Sequence, residues 1–157
     1  MGLFKKEGEV DPASIKKVEA LLSSNLEIPV KLDSGALSFK WGATRLEVEL
    51  LGKDEALGYP ETLAIYANVL MAAPYDETIY RYLMTEANTS YIKWQVQEQA
   101  LDDGSVVQTV TCGTSILMST ITQENLDFLL AIVAQCAFSW NYKLKMSFGG
   151  YLAEEME

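Results

Sequence analysis

Ile121-Thr122-Gln123-Glu124-Asn125-Leu126 opens, and Phe148-Gly149-Gly150 closes, the stretch whose reading decides the fold. Thr122 is an N-cap residue, whose hydroxyl takes a backbone N–H that the first helical turn leaves unbonded. Ile121 and Leu126 flank it at the spacing of a hydrophobic staple. Leu126, Leu129, Leu130, Val133, Ala137, Trp140 and Leu144 then recur at helical spacing. The pattern predicts one long helix with a clean one-sided stripe, which marks it as core. At 1.5 Å per residue it covers about 40 Å, enough to cross a small sheet. The glycines after Phe148 are a stop signal.

Just upstream, Tyr91 to Leu101 alternates Ile92, Trp94 and Val96 with Lys93, Gln95, Gln97 and Gln99. Val106, Val107 and Val110 lead a return strand through Cys112 toward Ile116-Leu117. Asp102-Asp103-Gly104-Ser105 supplies the hairpin turn, with Gly104 suited to a positive φ. Gly113 within the return strand predicts a bulge or a close backbone approach. Before this hairpin, Asp76 caps a helix running to about Asn88, with Ile79, Tyr82, Leu83 and Ala87 on its buried side. Trp94 and Trp140 fall on the apolar positions of their elements, which predicts core rather than a ligand groove.

At the other end, Asp11-Pro12 opens a helix as an N-cap followed by proline at the first helical position. Ile15, Val18, Leu21 and Leu22 form its stripe, and it ends near Ser24-Asn25. Ile28 to Leu32 reads as a weak edge-like strand interrupted by Pro29, and Leu37 to Trp41 as a strand before Gly42. Thr44 to Leu51 sets Leu46, Val48 and Leu50 against Arg45, Glu47 and Glu49, a half-buried strand with one wet face.

Thr62 to Ala72 behaves differently. Leu63, Ile65, Ala67, Val69 and Met71 line one face, yet Ala64, Tyr66, Leu70 and Ala72 leave the other mostly apolar. A strand apolar on both faces is usually covered on both. The helices are too few for that, so the second cover is read as another protomer or a bound chain. The alternative is a central strand whose outer face carries small residues. The candidate interface is therefore Tyr66 and Leu70 with Ala64, joined by Trp41, the tryptophan placed for partial exposure at a strand end.

Composition narrows the chemistry. A chain of 157 residues suits one domain that buries roughly two-thirds of its unfolded surface. The domain is expected over 12–150, after an N-terminal extension at 1–11 and before an acidic tail at 151–157 that should fray. Twelve Lys and Arg face 22 Asp and Glu, a formal net charge of −10, which argues against a phosphate-binding face and so against nucleic acid. Met1-Gly2-Leu3-Phe4-Lys5-Lys6 turns charged too early for a signal peptide. Leu63 to Ala73, the longest apolar run, is too short to span a membrane. A cytoplasmic location follows as the expectation, with Cys112 and Cys136 as reduced, buried thiols and a disulfide as the lesser alternative.

The chain has no histidine. That removes Ser-His-Asp and Cys-His catalysis and every His-containing zinc site. There is no phosphate loop and no Gly-x-Gly-x-x-Gly turn. The carboxylate pairs Asp54/Glu55, Asp102/Asp103 and Glu154/Glu155 sit in turns or the tail, where solvation explains them. The expectation is no enzyme, no catalytic residue, no cofactor and no metal.

The order helix, three strands, helix, two strands, helix resembles the type III secretion chaperone-like superfamily, and within it the YbjN-type proteins. Ala73-Pro74 closes the third strand, and Leu83 with Asn88 has a Leu-x-x-x-x-Asn spacing at the end of the middle helix. Asp103-Gly104 turns the hairpin. Thr122 to Leu126 resembles a Thr-x-Glu-Glu-Leu helix opening, with Asn125 as a departure, and Trp140-Asn141-Tyr142, Leu144 and Phe148-Gly149-Gly150 complete the likeness over Pro12 to Gly150. The resemblance implies an α+β single domain, an antiparallel sheet packed against helices, in a small, acidic, usually dimeric protein that wraps an extended client segment. A non-catalytic protein-binding module and homodimer is therefore expected, with a protein or peptide client. The alternative is a small-molecule or regulatory sensor using the space between sheet and long helix.

Overall fold

The computed structural model describes residues 9–156. Residues 1–8, which hold most of the expected N-terminal extension and the whole Met1–Lys6 stretch, lie outside the described residues, as does Glu157. The elements are α1 (Pro12–Leu26), β1 (Ala36–Trp41), β2 (Thr44–Leu51), β3 (Thr62–Pro74), α2 (Ile79–Glu86), β4 (Lys93–Ala100), β5 (Val106–Leu117) and α3 (Gln123–Phe148). The strands make one antiparallel sheet in the order β1-β2-β3-β5-β4. This is the α+β order expected, α-β-β-β-α-β-β-α.

Most local signals act as their chemistry requires, though Asp76 stands two residues before the N-cap Thr78, accepting from its amide at 2.8 Å, and α2 begins only at Ile79. Asp11 accepts from the Ala13 amide at 2.9 Å, and Thr122 from the Asn125 amide at 3.1 Å. The hairpin closes with Leu101 N–H on Ser105 O at 2.8 Å, Gly104 taking φ +86° and Asp103 holding the Ser105 amide at 2.9 Å. Ile28 to Leu32 does not pair as a strand. Two side chains of α1 take its amides instead: Ser23 accepts from Val30 at 2.9 Å and Glu19 from Leu32 at 2.8 Å.

Among the described residues, α1, α2 and α3 lie on one face of the sheet. α3 crosses it along 26 residues, and Leu126, Leu130, Val133, Ala137 and Leu144 bury against Leu46, Val48, Leu63, Ile65 and Ala67. Burial of a side chain of this size contributes roughly 1.5–3 kcal/mol, so this layer dominates stability. α1 docks beside the start of α3, where Asn25 donates to Asp127 and Gln123 donates to Leu21 O at 3.1 Å. α2 docks at the far end, with Tyr82 edge-on to Trp140 and Phe148 at 6.3 and 5.4 Å between ring centroids. Trp94 is buried as expected and donates its indole N–H to Ala87 O at 2.9 Å, tying β4 to the end of α2.

The tail is pinned, contrary to the fraying expected. β2 pairs with β3 only from Thr62 to Tyr66. Beyond that edge Tyr151 takes over, exchanging two backbone hydrogen bonds with Met71 at 2.7 and 2.8 Å. Leu152 is 2% exposed, and Lys145 pairs with Glu155. Gly150 permits the approach: a Cβ there would meet Met71 O at 2.8 Å and Ala73 Cα at 2.9 Å.

Candidate functional site

β3 carries the candidate interface, and its backbone does not keep one alternation to the end. The register shifts between Asn68 and Leu70, and again between Leu70 and Ala73. A bulge inserts an extra residue and so exchanges the faces of everything after it. Val69 is the extra residue at the first shift. Leu70 consequently stands opposite Val110, on the helix-covered side, with 0% exposure. Its assignment to the outer face is thus corrected. At the second shift Ala72 takes φ +51°, and the tail covers the edge at Met71. Two bulges and the tail therefore account for much of the double-sided apolarity of Thr62–Ala72.

Trp41 is partly exposed at its strand end, as expected, but its grouping with Tyr66 is corrected. It pairs with Thr44, whose hydroxyl reaches Ala134 O on α3 at 3.5 Å, and it packs half-buried against the core. It belongs to the helix side and does not join Tyr66. Ala64 and Tyr66 do lie on the other face, which no helix covers among the described residues.

On that open face the registers build a row through all five strands: Ser38, Glu47, Tyr66, Gly113 and Lys93. The neighbouring row runs Ala36, Glu49, Ala64 and Ser115, and on the other side Asn68, Thr111 and Gln95 follow. Tyr66 sits at the centre, half-buried. Its hydroxyl donates to the Glu47 carboxylate. Burial first, then that hydrogen bond and the charges of Glu47 and Glu49, push its pKa up to about 12. On its other side Gly113 presents no side chain. A Cβ there would lie 2.6 Å from Ile65 O and 2.8 Å from Tyr66 Cβ, so the glycine is required by close approach, as its position in the strand predicted. The result is a shallow polar surface with one aromatic ring, a bare notch beside it, carboxylates toward β2 and amides toward β4. It offers hydrogen bonds and a ring face, and no nucleophile with a base.

The other singled-out groups do not converge on this face. Cys112 and Cys136 meet in the seam between β5 and α3, both as free thiols. Cys112 lies 3.9 Å from Val133 O. Hydrogen bonding to Cys136, then burial, raises the Cys112 pKa, and donation from Cys112 lowers that of Cys136. Most of the space between sheet and α3, where a sensor's ligand would sit, is filled by the buried side chains named above; what remains is a hollow of about 40 Å³ at its edge, between Thr44, Asn68, Val69, Ala137 and Asn141. One hollow of about 380 Å³ opens at the surface between α1 and the start of β3, lined by Ala13, Lys17, Lys53 and Glu61 among others. Among the described residues no group of His, Cys, Asp or Glu is set to hold a metal ion, and no helix is long and apolar enough to cross a membrane.

No protein-family model matches the chain, and no curated protein is similar to it in sequence. Three chains of solved structures match. One belongs to the crystal structure of the ExsC-ExsE complex: 20% identical, with a TM-score of 0.51 over 82% of this chain and 93% of that one. At that identity the likeness is one of fold. The two chains thus share an α+β fold, in the element order expected from the sequence.

The sequence alone does not mark the residues around Tyr66. Glu47 was visible only as a wet-face residue, and its place beside Tyr66 depends on the β2–β3 register. Gly113 carried a signal, a glycine inside a strand, without naming the aromatic it would neighbour.

Proposed function

We propose that this protein is a non-catalytic, chaperone-like binding module of YbjN type, working in the cytoplasm as a homodimer, which holds an extended protein segment on the open face of its sheet. The observation that carries this reading is the uncovered row through Tyr66. Helices α1, α2 and α3 occupy the opposite face, and the row joins a half-buried ring, a glycine notch and hydrogen-bonding groups on five strands. An extended segment suits such a surface because it brings backbone hydrogen bonds and alternate side chains. That a protein of this fold was crystallised as a complex, ExsC with ExsE, supports the same reading. So does the resemblance of Leu83/Asn88, the Thr122–Leu126 opening and the Phe148-Gly149-Gly150 closure to the YbjN-type pattern.

The test is Tyr66→Glu combined with Ala64→Glu. Both positions are on the open face, so far-UV circular dichroism should be unchanged and the midpoint of thermal unfolding should move by only a few degrees. Binding to a reduced, alkylated and therefore permanently unfolded protein, followed by fluorescence anisotropy, should weaken at least tenfold. Equal binding by the variant and the wild type would remove the sheet face from the function.

A further inference from the structure

The stripe on α3 is not one-sided. Phe128, Ala131, Gln135, Phe138, Tyr142 and Met146 repeat with the helical period on the side turned away from Leu126, Leu130, Val133, Ala137 and Leu144. Phe128 is 50% exposed, Phe138 58%, Tyr142 57% and Met146 89%. The solvent side of a globular helix ordinarily carries charge, and four large apolar side chains in line exceed the scattered exposure that needs no explanation. Tyr91 touches one end of the stripe, edge-on to Phe128 at 5.6 Å between centroids.

We propose that a second copy of this chain covers this stripe, α3 packing antiparallel on α3 about a two-fold axis at Gln135. An isologous interface must be complementary to itself, and the stripe is. Reversal about Gln135 sets Phe128 against Tyr142 of the second copy and Phe138 opposite position 132, beside the space left by Ala131. It brings Gln135 onto its own copy, where amide donor and acceptor match. The charges have the same sense. Glu124 stands at the start of the stripe, and Lys143, whose ammonium lies 4.7 Å from the Trp140 ring centroid, flanks its end. The antiparallel arrangement brings each Glu124 within about one helical turn of the other copy's Lys143, whereas a parallel one would set Glu124 against Glu124. In a chain of net charge −10, a surface whose two ends carry opposite signs is one on which two copies can meet without repulsion. The inference rests on the dimeric part of the reading above and not on its client-binding part.

Sedimentation equilibrium of the whole chain over a concentration series tests it. The wild type should approach twice 17.4 kDa. Phe138→Glu with Tyr142→Glu should return the mass to one chain while circular dichroism stays unchanged, because both positions face solvent. Glu124→Lys should weaken dimerisation at least tenfold, and adding Lys143→Glu should restore it. Tyr66→Glu should leave the dimer intact, so loss of client binding and loss of the dimer are read separately. A wild type of 17.4 kDa throughout, a dimer that survives the Phe138/Tyr142 variant, or one lost with Tyr66→Glu would each overturn the proposal.

Discussion

The two faces of the sheet share a backbone and differ in almost everything else. Under α3, Leu46, Val48, Leu63, Ile65 and Ala67 are sealed from water. On the reverse, the same strands present Glu47, Glu49, Ala64, Tyr66 and Asn68, partly or fully wet. A single residue step in β3 separates the two worlds, and the bulge at Val69 moves Leu70 from one to the other. Alternation assigns a face only while the register holds. One side of this sheet carries the core that stabilises the fold, and the other stays in contact with water.

That division can be broken at Leu70. As a fully buried core side chain, its truncation in Leu70→Ala should cost about 2–5 kcal/mol, measured by urea unfolding. A loss under about 0.5 kcal/mol, the usual scale for an exposed site, would return Leu70 to the outer face. Gly113→Ala probes the open side next. Its new Cβ meets backbone at Ile65 O, which a rotamer change cannot relieve, so a loss of about 1–3 kcal/mol is expected. Indifference to the substitution would mean that β3 and β5 are not as close as described.

Tyr66→Phe should have the smallest effect and the most specific one. The pKa of Tyr66 stands near 12 in the folded chain against 10.0 for its ordinary value. The neutral phenol is therefore favoured in the native state. Its contribution is fully present below pH 10 and is lost as the pH rises through 12. Being half-buried and screened by solvent, the group should contribute about 1 kcal/mol or less near neutral pH. Between pH 10 and 12 the wild type should lose stability faster than the variant. Parallel loss in the two proteins would show that Tyr66 does not bond Glu47.

Much of this architecture was legible in the chain. Thr122, Asp11-Pro12, Asp103-Gly104 and Gly149-Gly150 each encode a local backbone event, a cap, a turn or a stop, and each occurs where its chemistry places it. The clean alternation of Thr44–Leu51 was also sufficient, because that strand has no bulge. Leu70 and Trp41 differ from expectation for separate reasons: an extra residue at Val69 turns Leu70 to the helix side, and strand parity alone does not say on which side of the sheet the helices dock, the side that Trp41 shares. Pro29 and Ile28 lay in a segment too polar in its flanks to settle between strand and coil, and the amide acceptors on α1 decided it. The charges of the tail dominate its composition and predict fraying, whereas the burial of Leu152 and the backbone pairing of Tyr151 with Met71 hold it in place.

The outward stripe of α3 was equally present in the sequence. Phe128, Phe138, Tyr142 and Met146 repeat with the same period as the core stripe. A helix apolar on two sides gives no internal evidence of which side is buried.

The amino-acid sequence by itself determined the elements, their order and the absence of histidine chemistry, since these follow from local backbone preferences and from composition. Only the tertiary structure decided what stands beside Tyr66, where Leu70 points and which face of α3 remains bare. Those depend on register and on the side from which helices dock, long-range choices set by the packing of the whole core rather than by any one segment.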